Sequence, residues 1–467
     1  MNELENKVRM SVKEKKQVLE GEVKRIALFF RSKIVEIDAG GESFYLVYYK
    51  DVFVHGEKLR NFKEHSFIQN SFQTGIVFES PHPMLSNLIP KNSVAIQHKN
   101  KLFEKLHSQY SLQEITYIAI TLHDFFEKEE LDTVISDIFF HYRRSGNLLK
   151  SYQILLLLHE FAPHLKIANE SLRSLEYKNY HKYYHSSDLL AIHKKDPFYV
   201  ELQCFSNRFI SENREILQNI LREKENSIAL LILWIESCEK AVMQETVDQY
   251  NSVALKIFTL EQWINILNKL RMNPFQAMPE AKSFIKVLTQ KQEYEKAAMM
   301  ILPHQHELPN SYKPFVSDIW SNVSSSFLVS HIEKCIQVIP HVFEQNEKSL
   351  EQLLHRLVVQ MLQESEVEEV QEKLLPLKKK MVKSLVLNKV DKMVKMSQDL
   401  DSMMELGNYF EEFQQYDKAI ECFSWEMELF PDDPKPVWKM IKMYQQKGMT
   451  DQVQAFQKIY SQLSKTS

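Results

Sequence analysis

Residues 406–431 read LGNYFEEFQQYDKAIECFSWEMELFP, and this stretch decides the fold. Leu406, Phe410 and Phe413 recur at helical spacing and line one face of a first helix. Ala419, Ile420, Phe423 and Met427 line one face of a second. Pro431 ends the pair, because proline has no N–H to continue a helix. Gly407 and Ala419 are small where two helices must approach closely, Phe410 and Phe423 fill the gap, and Tyr416 covers the turn. The chemistry of this spacing is packing.

Working outward, 467 residues are too many for one ordinary core and imply about two to four domains or an array. A hydrophobic content of 44% argues for a folded chain, and only 8 glycines and 15 prolines argue for much helix. A formal net charge of −4 gives no global field toward nucleic acid or an anionic membrane. Cys204, Cys238, Cys335 and Cys422 form no CxxC or zinc-ligand spacing, so they read as reduced thiols of a cytoplasmic protein. The charged N-terminus lacks the apolar core of a signal peptide. The apolar run IALLILWI at 228–235 is far short of the roughly 20 residues a membrane span needs, and reads as a buried core helix.

In chain order, residues 1–20 read as a solvated N-terminal helix, with Val8 and Met10 sparse among charges. Residues 21–98 read as a small α+β or β-rich domain. Short β-branched and aromatic runs near 26–30, 34–37, 44–49, 52–54 and 76–78 alternate with glycines, and Ala39-Gly40-Gly41-Glu42 is a hairpin turn. Gly40-Gly41 belongs to no phosphate-loop pattern. Residues 110–345 read as a degenerate helical-repeat region. Tyr142, Gly146, Ser151, Leu155 and Pro163 repeat the aromatic, turn, small, apolar and proline places, and Tyr294 to Ala297 echoes Tyr416 to Ala419. Ser111–Glu114, Thr259–Gln262 and Ser349–Gln352 have the form of capping boxes. Residues 346–399 read as long charged helices, running from an acidic stretch through Pro376 into a basic one.

Candidate chemistry is sparse. His181 and His185 share a helix face, a spacing that can hold zinc, but Lys182 stands where HExxH needs glutamate. The surrounding Tyr-rich stretch is either a groove lining or ordinary packing. His304 and His306 fall in an expected solvated loop. No GxSxG, SxxK or HRD-type motif occurs, so no catalytic, cofactor-binding or metal-binding residue is assigned.

At Gly407, Phe410, Tyr416, Ala419, Phe423 and Pro431 the region 400–467 resembles the tetratricopeptide repeat (TPR) family. Glu426 departs from it, standing where the family usually has a small residue, and Met403 where it often has Trp. The resemblance implies a mainly α chain, a helical-hairpin solenoid behind the small N-terminal domain, acting as a scaffold for protein–protein interaction. The family binds peptides along its first helices. Carried over by position, the groove would comprise Asn408, Glu411 and Glu412, then Lys435, Lys439 and Lys442 of the next hairpin. Lys439 and Lys442 with Asn408 as donor would take an acidic or carboxylate-ended peptide, or else the lysines are solvated surface that Glu411 and Glu412 lie near enough to neutralise; Trp438 and Tyr444 would hold their helix against its neighbour. The rival expectation is a regulatory protein whose N-terminal domain senses a ligand or nucleic acid and whose repeats transmit it.

Overall fold

Short runs of β-branched and aromatic residues build an N-terminal sheet. Its strands are β1 (Arg9–Glu14), β2 (Gln17–Phe29), β3 (Ser32–Ala39), β4 (Glu42–Tyr49), β5 (Val52–Lys58), β6 (Ile76–Glu79) and β7 (Ser93–Ala95). Their order is β5-β4-β3-β2-β1-β7, with β6 also on β2. All ladders are antiparallel except β1 with β7. The β3–β4 hairpin turns through Gly40 and Gly41 at φ +69° and +86°, a conformation that glycine adopts without strain.

The computed structural model describes residues 8–14, 17–96, 99–163, 165–172, 174–185, 188–240, 247–343 and 346–466. Packing divides the chain into two units, Met1–Leu270 and Arg271–Ser467. That division falls inside the stretch expected as one repeat region, because the helices up to residue 269 belong with the sheet. Residues 9–14 and 17–20 correct the expectation of an N-terminal helix over 1–20; residues 1–7, 15 and 16 lie outside those described. Met10 and Val12 are 1% and 2% exposed while Arg9 and Lys13 face outward, a period of two. Two apolar residues among charges carry little signal. The pairing that fixes them comes from β2 and β7.

In the first unit the helices that matter are α1 (Phe67–Thr74), α2 (Leu112–Thr121), α3 (Lys128–Arg144), α4 (Leu148–Phe161), α5 (Lys178–Tyr184), α6 (Pro197–Ser206), α7 (Ser211–Glu223) and α8 (Ser227–Lys240). The β2–β3 turn is driven among them. Phe29 lies 5.5 Å from Phe67 of α1, 5.9 Å from Phe161 of α4 and 5.4 Å from Phe205 of α6, all edge-on. Phe30, at φ +55°, meets Tyr117 of α2 and Phe198 of α6. Arg31 follows them in and bonds Glu201 of α6 and, at 3.5 Å, Glu114 of α2. Glu114 also accepts from Lys50 at 2.6 Å and from the Tyr49 hydroxyl at 2.9 Å, and Lys224 reaches Glu201. Burial alone would raise the Glu114 carboxyl, but Lys50, Ser111 and Tyr49 outweigh it and hold it at about 2.

In the second unit, α9 (Pro279–Gln290) and α10 (Tyr294–Ile301) form a hairpin that buries Ala281, Ala297 and Ile301. Further on come α11 (Lys313–Asn322), α12 (Glu347–Glu364), α13 (Val367–Lys380) and α14 (Leu385–Met396). The chain closes with α15 (Met403–Glu412), α16 (Tyr416–Leu429), α17 (Pro434–Gln446) and α18 (Thr450–Thr466), each packed on the one before. A Cβ on Gly407 would lie 2.5 Å from the Phe423 ring, so the α15–α16 contact depends on glycine. Ala419, Phe413 and Phe423 are fully buried beside it, Phe410 nearly so, and Tyr416 starts α16. Pro431 stands exposed just past α16. Capping boxes form at Ser111 and Thr259. Ser349 forms none: Asn346, a strong cap, accepts from the Ser349 N–H at 3.2 Å and starts α12 earlier, which leaves Ser349 inside the helix. The 302–307 segment is a 3-10 helix rather than a loop, and its His304 is half-buried against Phe275.

Two stability tests follow from these contacts. Ala419→Leu overpacks the α15–α16 contact and is expected to cost about 1–3 kcal/mol in urea unfolding of the full chain. Amide exchange should quicken within 403–429. The Glu114 carboxyl is held below its unfolded value of 4.5, so its contribution is complete above that pH and is lost as pH falls toward about 2. Wild type should therefore exceed Glu114→Gln in urea midpoint at neutral pH, with the gap closing across that window.

Candidate functional site

The residues expected to line a peptide groove lie on α15 and α17, and the structure brings several of them into contact. Lys439 Nζ donates to Glu411 Oε2 at 2.6 Å, with both side chains largely covered. Lys389 of α14 reaches Glu412. The expected pairing of Lys439 with an acidic peptide therefore meets an internal carboxylate already in place. Lys442 lies over the indole of Trp438, its Nζ 3.6 Å from the ring centroid. Neither Lys442 nor Lys435 makes an ion pair among the described residues. Lys435 is exposed, and its backbone N–H bonds the capping Asp433. Asn408 is half-buried, and its Oδ1 is shut off from solvent with no donor in reach. Glu426, the departure from the repeat pattern, has an Oε2 in the same condition.

Trp438 corrects an expectation. It is 42% exposed, so it does not hold α17 against a neighbour; Tyr444 does, stacking on Phe456 of α18 at 5.2 Å. Trp425 of α16 is 53% exposed. The chain's three other tryptophans, Trp234, Trp263 and Trp320, are buried. The signal for Trp425 was present in the sequence: it falls between Ser424 and Glu426, off the stripe of Ala419, Phe423 and Met427.

The first unit carries its own cleft, of about 520 Å³, between the β2–β3 and β4–β5 turns and α6 to α8. Leu28, Ile76, Leu217, Leu221 and Ile232 give it an apolar wall, and Arg31, Lys33 and Lys50 stand at its polar end. Lys33 bonds Asp51 at 2.6 Å and the Leu88 carbonyl. Burial raises the Glu201 carboxyl, but Arg31 and Lys224 more than offset this and keep it ionised.

His181 and His185 stack at 3.9 Å and are exposed, with His185 Nδ1 at 2.8 Å from the His181 carbonyl. The tyrosines around them turn inward. Tyr177, Tyr180 and Tyr184 pack on Tyr152 of α4, and the Tyr184 hydroxyl donates to Asp196. Among the described residues no group of three or more His, Cys, Asp or Glu side chains converges as a metal ion would require. No described helix is long and apolar enough to cross a membrane.

No family model matches this chain, and no curated protein matches it. Among solved structures, MamA (AMB-1) is 12% identical over 40% of this chain and 92% of that one, with a TM-score of 0.17. A mutant form of MamA is 13% identical over 39% and 95%, also with a TM-score of 0.17. A circular tandem repeat protein with novel repeat topology is 12% identical over 78% and 74%, with a TM-score of 0.12. Scores this low carry no argument about fold or function.

Proposed function

We propose that the chain is a helical-repeat scaffold that holds a protein or peptide partner without catalysing a reaction. One observation carries this reading: of five tryptophans, the two in the C-terminal hairpins, Trp425 and Trp438, are exposed. An indole is a large apolar body with one donor, and it is among the side chains that dominate binding energy at protein interfaces. Lys442, lying on the Trp438 ring, supplies a polar partner for a bound backbone. Lys439–Glu411 and Lys389–Glu412 then act within the scaffold, fixing the relative positions of α14, α15 and α17.

The cleft of the first unit favours a second reading, in which a small ligand bound near Arg31 and Lys50 regulates the chain. A ligand of that kind would raise the melting temperature in proportion to the logarithm of its concentration.

The scaffold reading is tested by capturing a partner on the full-length chain, purifying it, and titrating it against wild type and Trp438→Ser. A loss of about 2 kcal/mol, roughly thirtyfold in Kd, is expected, with the variant still folding cooperatively in urea although the partly covered indole costs some midpoint. Equal affinities would exclude this surface.

A further inference from the structure

α12 buries Leu350, Leu353, Leu354, Leu357 and Val358 on one side. Another face of the same helix lines a cleft of about 750 Å³, which Ser321 of α11 and the first turn of α14 complete. Lys348, Arg356 and Lys389 bring three positive charges to this cleft against the single carboxylate of Glu351. Glu351 is already engaged: it accepts from the backbone N–H groups of Leu385 at 3.2 Å and Val386 at 2.9 Å, at the N-terminus of α14. Lys389 reaches Glu412, and the His355 Nε2 lies 3.1 Å from the Glu412 carbonyl.

Arg356 is different. Its guanidinium makes no hydrogen bond or ion pair among the described residues, and its Nη2 is shut off from solvent without an acceptor. Burial pushes its pKa down. The chain handles another arginine in the opposite way: buried Arg208 has Glu236 at 2.8 to 3.1 Å and two backbone carbonyls. Arg356 is half-buried, and a covered guanidinium nitrogen without an acceptor is a cost to the free chain that a bound carboxylate nearby would offset. Lys348, two turns before it on α12, is exposed and makes no ion pair among the described residues. Leu385 stands 68% exposed on the cleft wall.

We propose that this cleft docks an acidic segment of a protein partner, with a carboxylate accepting from Arg356 and Lys348 and a neighbouring apolar side chain lying on Leu385. The proposal rests on the scaffold reading and adds a second site to it. The apolar wall is what favours a peptide over a free anion. No aromatic side chain that a nucleic acid base would stack on lines the cleft, apart from the imidazole of His355.

The test uses the full-length chain and a fluorescein-labelled peptide that alternates leucine with pairs of glutamates, with glutamine replacing glutamate in a neutral arm. Fluorescence anisotropy is expected to show binding of the acidic peptide alone, weakened by salt. Arg356→Gln and Arg356→Met should each weaken it by about tenfold or more. Lys392→Gln, an equal charge change at an exposed position of α14 outside the cleft, should leave affinity unchanged. The distinguishing readout is the melting temperature without peptide. Arg356→Met should match or exceed wild type, because it removes a partly covered cation whose buried Nη2 meets no acceptor among the described residues. A lower melting temperature in Arg356→Met, or wild-type peptide affinity in both variants, overturns the proposal. Complete displacement of the peptide by inorganic phosphate at equal ionic strength would make this a free-anion site and overturn it too. A partner that still binds wild type and fails with Trp438→Ser, while ignoring the Arg356 variants, would sink the cleft and leave the scaffold reading in place.

Discussion

A pair of helices cannot bury its apolar face alone, and the Arg271–Ser467 unit is arranged around that constraint. Gly407 and Phe423 show the contact at its closest, where any side chain at 407 would strike the ring. Ala419 lies in the same contact, and the hairpin it closes presents its remaining apolar side to α17. α17 in turn packs on α18, which leaves Ile459 and Met449 partly uncovered near the end of the chain. Within 403–466 each helix covers apolar residues of the one before it. A large side chain left outside those contacts is therefore not needed by them.

Charge is handled as carefully as apolar surface in the first unit. The β2–β3 turn carries Phe29, Phe30 and Arg31 among the helices, and Arg31 arrives with two carboxylates placed to receive it. Glu114 serves three purposes at once: it closes the capping box of α2, accepts from Tyr49, and balances Lys50. Removing one member of such a group leaves the rest desolvated and unpaired, which costs more than the group contributes over an apolar replacement. The network thus fixes where the turn sits more than how stable the unit is.

Much of this was legible locally. The strands run where β-branched and aromatic residues cluster, the turn sits at Gly40-Gly41, and the small-aromatic spacing of 407–423 describes the contact that forms. What the sequence hid depends on distant residues. The first strand rests on pairing with residues 93–95, and its two inward residues are too few to show a period. Arg31 and Glu201 are 170 residues apart, so no local pattern joins them. Glu411 and Glu412 could be seen from the sequence as near enough to neutralise the groove lysines, but that Lys439 is the one to meet Glu411 depends on how α15 and α17 pack. Trp438 matched a packing place by spacing alone, yet the register of α17 turns it outward.

Arg356 was hidden for the opposite reason. On an amphipathic helix of charged character, an arginine at the margin of the apolar stripe reads as solvated, and α12 has acidic neighbours enough to balance it. Only the fold shows that Glu351 turns away to α14 and that, among the described residues, no other carboxylate takes its place. Trp425 and Trp438 expose indoles where the other three tryptophans are buried, and Arg356 covers a guanidinium nitrogen that meets no acceptor among the described residues. Elsewhere the same chain buries tryptophan and pairs buried arginine, as at Trp263, Trp320 and Arg208. Departures of this kind within an otherwise consistent fold are where selection for something other than stability leaves its mark. All three lie in the Arg271–Ser467 unit, the same unit whose helices carry the proposed surfaces.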